Sequence, residues 1–236
     1  MPRLPRERCM DIKQKENSGT GQSVSKNLTG KCVAICHLGE IGWAISNLFR
    51  LNGADVRVFE SPADFYVFDE FRPDIAICTS GKMHIGHPAP MSSELVSRMF
   101  ELNYLIPRQF TEASLAAGAK LVIHIGSNSA RYGKSYAEDY AAAKAALWKY
   151  CEIRGALAAK ENGARITCLN LGGVNNGFWE HVRQAPAFNS AAAANLIPAD
   201  GKGLTNAEVA ELVMAICLLP ENVAIKDLLV TAKAYQ

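Results

Sequence analysis

The sequence predicts an α/β fold, a Rossmann-like doubly wound parallel sheet of about six strands with helices on both faces, in three layers and one domain. First, short apolar runs alternate with helical stretches from Leu28 onward, which is typical of βαβ units. Second, a glycine-rich turn follows the first apolar run. Third, 236 residues with 49% apolar and 20% charged residues suit one globular domain.

Two sequence patterns separate the predicted strands from the predicted helices. Runs such as CVAIC, within KCVAIC, are short and wholly apolar, as expected of strands buried on both faces. The helical stretches are longer, and Gly53, Gly118 and Gly163 follow three of them as C-terminal stops. Strands are predicted at 31–36, 55–60, 74–79, 120–125, 165–170 and 226–230, and helices at 43–52, 63–71, 93–117, 136–160 and 206–219.

Composition excludes several classes of function. Residues 1–27 are polar and charged and are expected to form a flexible tail before a domain at 28–236. No secretory signal and no apolar run of ~18 residues is found, so a cytoplasmic protein without a membrane partner is predicted. A net charge of +2 gives no electrostatic footprint for nucleic acid. The seven cysteines show no CxxC pair, and reduced core cysteines with no metal site are expected.

The glycine-rich turn is Gly39-Glu-Ile-Gly42, which follows the first strand and opens a helix. In a dinucleotide fingerprint, such glycines admit the pyrophosphate and allow close packing, while the helix N-terminus donates N–H groups to the phosphates. The first glycine is replaced by His37 in a GxGxxG interpretation and by Cys36 in a GxxGxxG interpretation. A simple tight turn is the alternative to a nucleotide site. The predicted cofactor-binding residues here are His37, Leu38, Gly39, Ile41 and Gly42.

An acidic residue, Glu60, lies 18 positions beyond Gly42 at the end of the second predicted strand. A carboxylate there can accept hydrogen bonds from the adenosine ribose hydroxyls and would repel a 2′-phosphate. The sequence therefore predicts NAD as the preferred cofactor, with NADP as the other choice. Alternatively, Glu60 merely begins a solvated loop.

Tyr140 and Lys144 are four residues apart in an Ala-rich predicted helix and so share one face. A phenol with a pKa near ~10 is a poor acid–base group at neutral pH. A nearby ammonium is expected to lower that pKa, so that the pair can exchange a proton with a substrate oxygen while a nicotinamide moves a hydride. An ordinary surface pair is the alternative.

Two further residues extend this pair into a longer pattern. Ser127 lies 13 residues before Tyr140, just past a predicted strand, and Asn103 lies 24 residues before Ser127 in a predicted helix. The series resembles the Asn-Ser-Tyr-Lys tetrad of the short-chain dehydrogenase/reductase family. Three more segments resemble the family: 28–31 at the entry to strand one, 74–81 where the family has a strand ending in Asn-Asn-Ala-Gly, and 170–176 in place of its Pro-Gly-x-Val-x-Thr turn. The resemblance spans about residues 28 to 231.

The resemblance implies roles for the tetrad. Tyr140 would donate or accept the proton, and Lys144 would lower its pKa and hold the nicotinamide ribose. Ser127 would hydrogen-bond the substrate oxygen and steady its developing charge. Asn103 would anchor a water in a proton relay to Lys144. Implied cofactor-binding residues further include Thr79, Ser80, Gly81, Gly172 and Val174, and the expected substrate-binding residues are Ser127, Ser129, Tyr132, Phe178 and Trp179.

The resemblance also implies a small alcohol or ketone substrate and a homodimer or homotetramer formed through the two long helices. The chain departs from the family pattern at the missing first glycine, at Cys78-Thr79-Ser80, at Leu171 and at Asn176. Only 13 residues separate Glu60 from Asp74, which predicts that one edge strand and part of the adenine pocket are missing.

Two other functions stay open at this point. The altered glycine-rich turn favours a catalytically inactive dinucleotide-binding sensor or partner subunit. A GxxGxxG-like turn and the short segment before Asp74 are similar to family members that modify nucleotide-sugars, although those carry a larger C-terminal domain for which this chain lacks room.

Overall fold

A computed structural model describes residues 28–85, 91–133, 136–183 and 202–235; the predicted tail at 1–27 lies outside them. Its strands form one parallel sheet in the order β2-β1-β3-β4-β5-β6, so the chain reverses direction across the sheet between β1 and β3. This confirms the predicted doubly wound sheet of six strands. The strands are β1 Cys32–Cys36, β2 Asp55–Phe59, β3 Ile75–Cys78, β4 Leu121–Ser127, β5 Arg165–Leu171 and β6 Asp227–Val230.

Helices cover both faces of the sheet, which confirms the three layers. Alternate residues of β1 show the division: Val33 and Ile35 pack toward the first and last long helices, whereas Ala34 and Cys36 pack toward the two between them. The helices are α1 Glu40–Leu51, α2 Phe68–Phe71, α3 Ser93–Phe100, α4 Ile106–Ala116, α5 Glu138–Asn162, α6 Glu180–Arg183 and α7 Asn206–Cys217. Short 3₁₀ turns lie at Pro62–Val67, Asn128–Ala130, Gly177–Trp179 and Lys233–Tyr235.

The helix predicted at 93–117 is not regular throughout. A π-helical turn, Glu101–Leu105, separates α3 from α4. Pro107 has no N–H to donate to the carbonyl of Asn103 four residues before it, which weakens the α-helical ladder at this point. The wider turn that results is a common feature of functional sites, and it carries Asn103.

The short connection between β2 and β3 adds no strand, as predicted. It forms the 3₁₀ turn Pro62–Val67 and α2, which bury Phe65 and Phe68. The ring of Phe68 contacts Phe59 edge-on at 4.6 Å and Phe110 at 5.5 Å. Aromatic packing therefore takes the place of the family's outer strand, and β2 is the edge of the described sheet.

Candidate active site

Three of the four predicted catalytic side chains line one cavity at the carboxyl edge of the sheet. Ser127 is the last residue of β4, and Tyr140 and Lys144 lie on the first two turns of α5. The cavity has a volume of about 100 Å³. Tyr140 is 6% exposed and Lys144 is 4% exposed, so both functional groups sit in a largely desolvated site.

Ser127 is fixed by the neighbouring strand. Its N–H donates to Asn170 Oδ1 at 3.1 Å, and Asn170 Nδ2 donates to Asp227 Oδ1 at 2.7 Å. A Cβ on Gly126 would collide with the Asn170 side chain, so glycine is required beside the serine. The Ser129 N–H donates to Ser127 Oγ at 3.1 Å, which leaves the hydroxyl hydrogen free to point at an oxygen in the cavity.

The side chains of Lys144 and Asn103 both lie close to Gly81. The Lys144 ammonium donates to the carbonyl of Ile125 at 3.1 Å and lies 5.9 Å from the centroid of the Tyr140 ring. Asn103 Nδ2 donates to the carbonyls of Lys82 and Met99, both at 2.8 Å. Its Oδ1 is buried and has no hydrogen-bond partner among the described residues.

Glycine at position 81 keeps this corner of the site open. A Cβ there would lie 2.9 Å from both Asn103 Oδ1 and Lys144 Nζ. A buried acceptor of this kind is normally satisfied by a partner such as an ordered water. The four residues of the tetrad therefore lie close together. Ser127, Tyr140 and Lys144 line the cavity, and Asn103 lies behind Gly81.

Burial dominates the titration of Tyr140. Desolvation raises the pKa of Tyr140 to about 12, and a hydrogen bond with Ser127 offsets only part of the rise. Burial likewise lowers the pKa of Lys144, against the opposing effect of the nearby thiols of Cys78, Cys168 and Cys151. The lowered phenol pKa expected from the sequence is not found in this state, because burial of the phenol raises its pKa. At neutral pH the phenol keeps its proton.

The glycine-rich turn is tight and unusual. His37 adopts a left-handed backbone with φ +67°, the region that favours glycine. Thr79 Oγ1 donates to the carbonyl of His37 at 2.7 Å. A Cβ on Gly42 would lie 2.5 Å from that carbonyl oxygen and 2.8 Å from Thr79 Oγ1, so Gly42 allows the helix and the turn to pack together. Glu60 lies beside the turn, with Oε2 3.3 Å from His37 Nδ1.

Phe178 and Trp179 form an aromatic wall on the substrate side. The Phe178 ring centroid lies 6.5 Å from that of Tyr140, and the two wall rings meet edge-on at 5.2 Å. Trp179 Nε1 donates to the carbonyl of Val174 at 2.7 Å, which ties the wall to the turn after β5. Residues 184–201, which follow the wall in the chain, lie outside the described residues.

Several solved structures of dehydrogenases and reductases share this fold. The chain superimposes on a dehydrogenase/reductase from Sinorhizobium meliloti with a TM-score of 0.70 and 19% identity, covering 90% of this chain and 98% of that one. For the structure of BdcA in complex with NADPH, the TM-score is 0.66 and the sequence identity is 20%, and the match covers 85% of this chain and 93% of that one. For the closed form of serine dehydrogenase complexed with NADP⁺, the TM-score is 0.69 and the sequence identity is 19%, and the match covers 85% of this chain and 94% of that one.

The fold is that of the short-chain dehydrogenases/reductases. By sequence alone the chain matches no protein-family model and no curated protein. The resemblance first found in the tetrad spacing is therefore supported by the path of the whole backbone, at identities too low to say more than the fold.

Within the short-chain dehydrogenase/reductase fold, the predicted site residues divide into two groups. Those that line the cavity include the two wall residues and three of the tetrad. Five predicted cofactor residues around the glycine-rich turn and Tyr132, which is 58% exposed, do not line it. The lining group is Ile41, Thr79, Ser80, Gly81, Ser127, Ser129, Tyr140, Lys144, Gly172, Val174, Phe178 and Trp179; the other group is His37, Leu38, Gly39, Gly42, Glu60, Asn103 and Tyr132.

Several lining residues were not predicted, among them Met83, Asn128, Gly173 and Asn176. For Met83 and Asn128 the sequence signal is a position beyond the carboxyl end of a strand, whereas Gly173 and Asn176 lie in the segment 170–176 that resembles the family's turn. Among the residues described, no group of three or more His, Cys, Asp or Glu side chains is arranged to hold a metal ion. None of the described helices is long and apolar enough to cross a membrane.

The raised pKa of Tyr140 predicts a specific loss of stability at alkaline pH. The folded-state pKa of about 12 exceeds the value of ~10 in an unfolded chain, so the protonated phenol favours the fold. This contribution is complete below pH ~10 and is lost as pH rises toward ~12, and it amounts to roughly 2–3 kcal/mol. Between pH about 9 and pH about 11.5, the free energy of unfolding measured in urea should fall less for Tyr140→Phe than for the wild type. Equal losses in the two proteins would contradict the assignment.

Proposed function

We propose that this protein is an NAD(P)-dependent oxidoreductase that transfers a hydride between a nicotinamide cofactor and a small alcohol or ketone. The observation that carries the proposal is the convergence of Ser127, Tyr140 and Lys144 on one cavity at the switch point of the sheet, with Asn103 behind Gly81. NADPH in BdcA and NADP⁺ in serine dehydrogenase support the class of cofactor.

The residues around the cavity fit the nicotinamide end of such a cofactor. Gly81 and the turn after β5 would lie beside the ring and its ribose, and Lys144 would hold the ribose hydroxyls. Gly42 admits the close approach between turn and helix that a dinucleotide fold requires. When bound, the nicotinamide would supply or accept the hydride.

The chain's own residues handle the proton. Ser127 Oγ would hold the substrate oxygen, and the phenol of Tyr140 would donate its proton to that oxygen. Lys144 would return a proton toward Tyr140 through the ribose hydroxyls. Asn103 Oδ1, a buried acceptor with no hydrogen-bond partner among the described residues, suits a water that links Lys144 to solvent. Because burial raises the phenol pKa, Tyr140 keeps its proton at neutral pH in the cofactor-free site.

Glu60 supports NAD as the preferred cofactor. Its side chain is 61% exposed beside the glycine-rich turn, where a carboxylate favours ribose hydroxyls over a 2′-phosphate. Calorimetric titration with NADH and NADPH, followed by turnover assays on a panel of aldehydes and ketones, tests the proposal. We expect both to bind, NADH more tightly. Failure of both dinucleotides to bind would overturn it.

A second candidate is a dinucleotide-binding sensor or partner subunit without turnover. The left-handed His37 in place of a glycine favours it, since this part of the site has departed furthest from a usual cofactor turn. Tight dinucleotide binding with no turnover of any carbonyl compound would favour this candidate over the enzyme. Nothing in the described part of the chain favours the nucleotide-sugar alternative.

Assembly into a homodimer or homotetramer through the long helices is part of the same proposal. Ile153 and Leu157 lie four residues apart on α5, and they are 57% and 47% exposed. Large apolar side chains on one exposed helix face are suited to burial against a second copy.

A further inference from the structure

The carboxylate of Glu40 joins the start of α1 to two distant segments of the chain. Glu40 is the first residue of α1, and the start of this helix has no side-chain cap. Instead, the Gly177 N–H donates to Glu40 Oε1 at 2.7 Å, and Asn206 Nδ2 donates to Oε2 at 3.0 Å. The carboxylate therefore joins α1 to residues 137 and 166 positions later in the chain.

These contacts continue as a chain of hydrogen bonds to the aromatic wall. Asn176 Nδ2 donates to Asn206 Oδ1 at 3.0 Å, and the Phe178 N–H donates to Asn176 Oδ1 at 3.1 Å. The network connects the start of α1, the start of α7 and the turn that carries Phe178. Since Phe178 lies 6.5 Å from Tyr140, Glu40 helps to set the position of the wall over the catalytic group.

An acidic residue in the first turn of a helix has an ordinary explanation, which is attraction to the helix dipole. That attraction needs no partner in another part of the chain. Here both carboxylate oxygens are used by distant donors, and glycine at 177 permits the approach, because a Cβ there would lie 2.6 Å from Oε1. The geometry is that of a bridge between two sides of the site.

The position of the bridge matters because the start of α1 is the anion-binding end of the helix after β1. In open α/β sheets, this helix end receives the phosphates of a dinucleotide. A carboxylate placed there repels a phosphate and occupies donors beside it. The cavity of about 100 Å³ is also smaller than the ~300–1,000 Å³ of ordinary ligand sites.

We propose that Glu40 is a carboxylate latch, which holds the aromatic wall closed and competes with the phosphates of the dinucleotide for the start of α1. Binding of the cofactor then displaces the carboxylate and frees the 176–178 turn from Asn206. This inference rests on the proposed function, and it names Glu40 as the residue that limits cofactor affinity.

The test compares Glu40→Gln with the wild type and with Glu211→Gln, which removes the same charge from an exposed position on α7. Calorimetric titration with NADH and NADPH measures the Kd of each protein. Glu40→Gln should bind both dinucleotides about tenfold more tightly, a change of ~1.4 kcal/mol. Glu211→Gln should match the wild type. Hydrogen exchange at the Gly177 and Phe178 amides should be faster in Glu40→Gln than in the wild type.

The outcomes separate this inference from the function on which it rests. Equal or weaker dinucleotide binding by Glu40→Gln would overturn the latch and leave the oxidoreductase proposal standing. Unchanged exchange at Gly177 and Phe178 would also overturn it, because the bridge would then hold nothing closed. Absence of binding to all three proteins at millimolar concentration would overturn the proposed function and the latch together.

Discussion

Tyr140→Phe is expected to lower kcat/KM for carbonyl reduction by about 10²–10⁴-fold, the range that a positioned acid–base group contributes. The substitution removes only the hydroxyl, and the buried ring remains in place beside Phe178. The substrate oxygen would then lose its proton donor while Ser127 still holds it. Steady-state kinetics with NADH and NADPH measure the change, and titration of the variant should show cofactor binding preserved.

Tyr150→Phe is a matched control on the same helix. Its hydroxyl donates to Glu112 Oε1 at 2.7 Å, on the side of α5 away from the cavity. Its activity should stay within about twofold of the wild type, since surface hydrogen bonds affect stability rather than the chemical step. Tyr140→Phe with full activity would remove the phenol from the mechanism, and with it the main argument for an oxidoreductase of this type.

Local patterns in the sequence were sufficient to predict the sheet and to single out residues that meet in the candidate site. Buried parallel strands are continuous apolar runs, so KCVAIC and DIAICT are recognisable without any tertiary information. Tyr140 and Lys144 share a helix face by spacing alone. Ser127 follows a predicted strand, and the carboxyl ends of parallel strands meet at one edge, so its convergence with the pair was a consequence of the fold.

The features that were missed depend on contacts between distant segments or on the backbone itself. The bridge from Glu40 to Gly177 joins residues 137 positions apart, and no spacing rule describes such a pair. The π turn at Asn103 depends on a proline four residues later, whose effect is on one backbone hydrogen bond. The raised pKa of Tyr140 follows from how closely α5 and the aromatic wall pack around the phenol, which composition does not reveal.

Lys144→Met is expected to separate activity from stability. Loss of the ammonium removes the group that would hold the ribose and return the proton, so kcat/KM should fall about 10²–10³-fold, as for other positioned charges in active sites. The free energy of unfolding at neutral pH should fall by no more than about 1 kcal/mol, and a rise is consistent with the same physics. Urea unfolding and steady-state kinetics on the same preparation measure both quantities.

The reason for this separation lies in the burial of Lys144. Because burial lowers its pKa, the fold carries a penalty for keeping the ammonium charged, and the hydrogen bond to Ile125 only partly offsets it. Methionine has a similar length and no charge, so it fills the space without the penalty. Lys149→Met, on the exposed side of the same helix, should change neither quantity appreciably. A lysine kept for structure would give the opposite result, with stability lost and activity retained in the folded fraction of Lys144→Met.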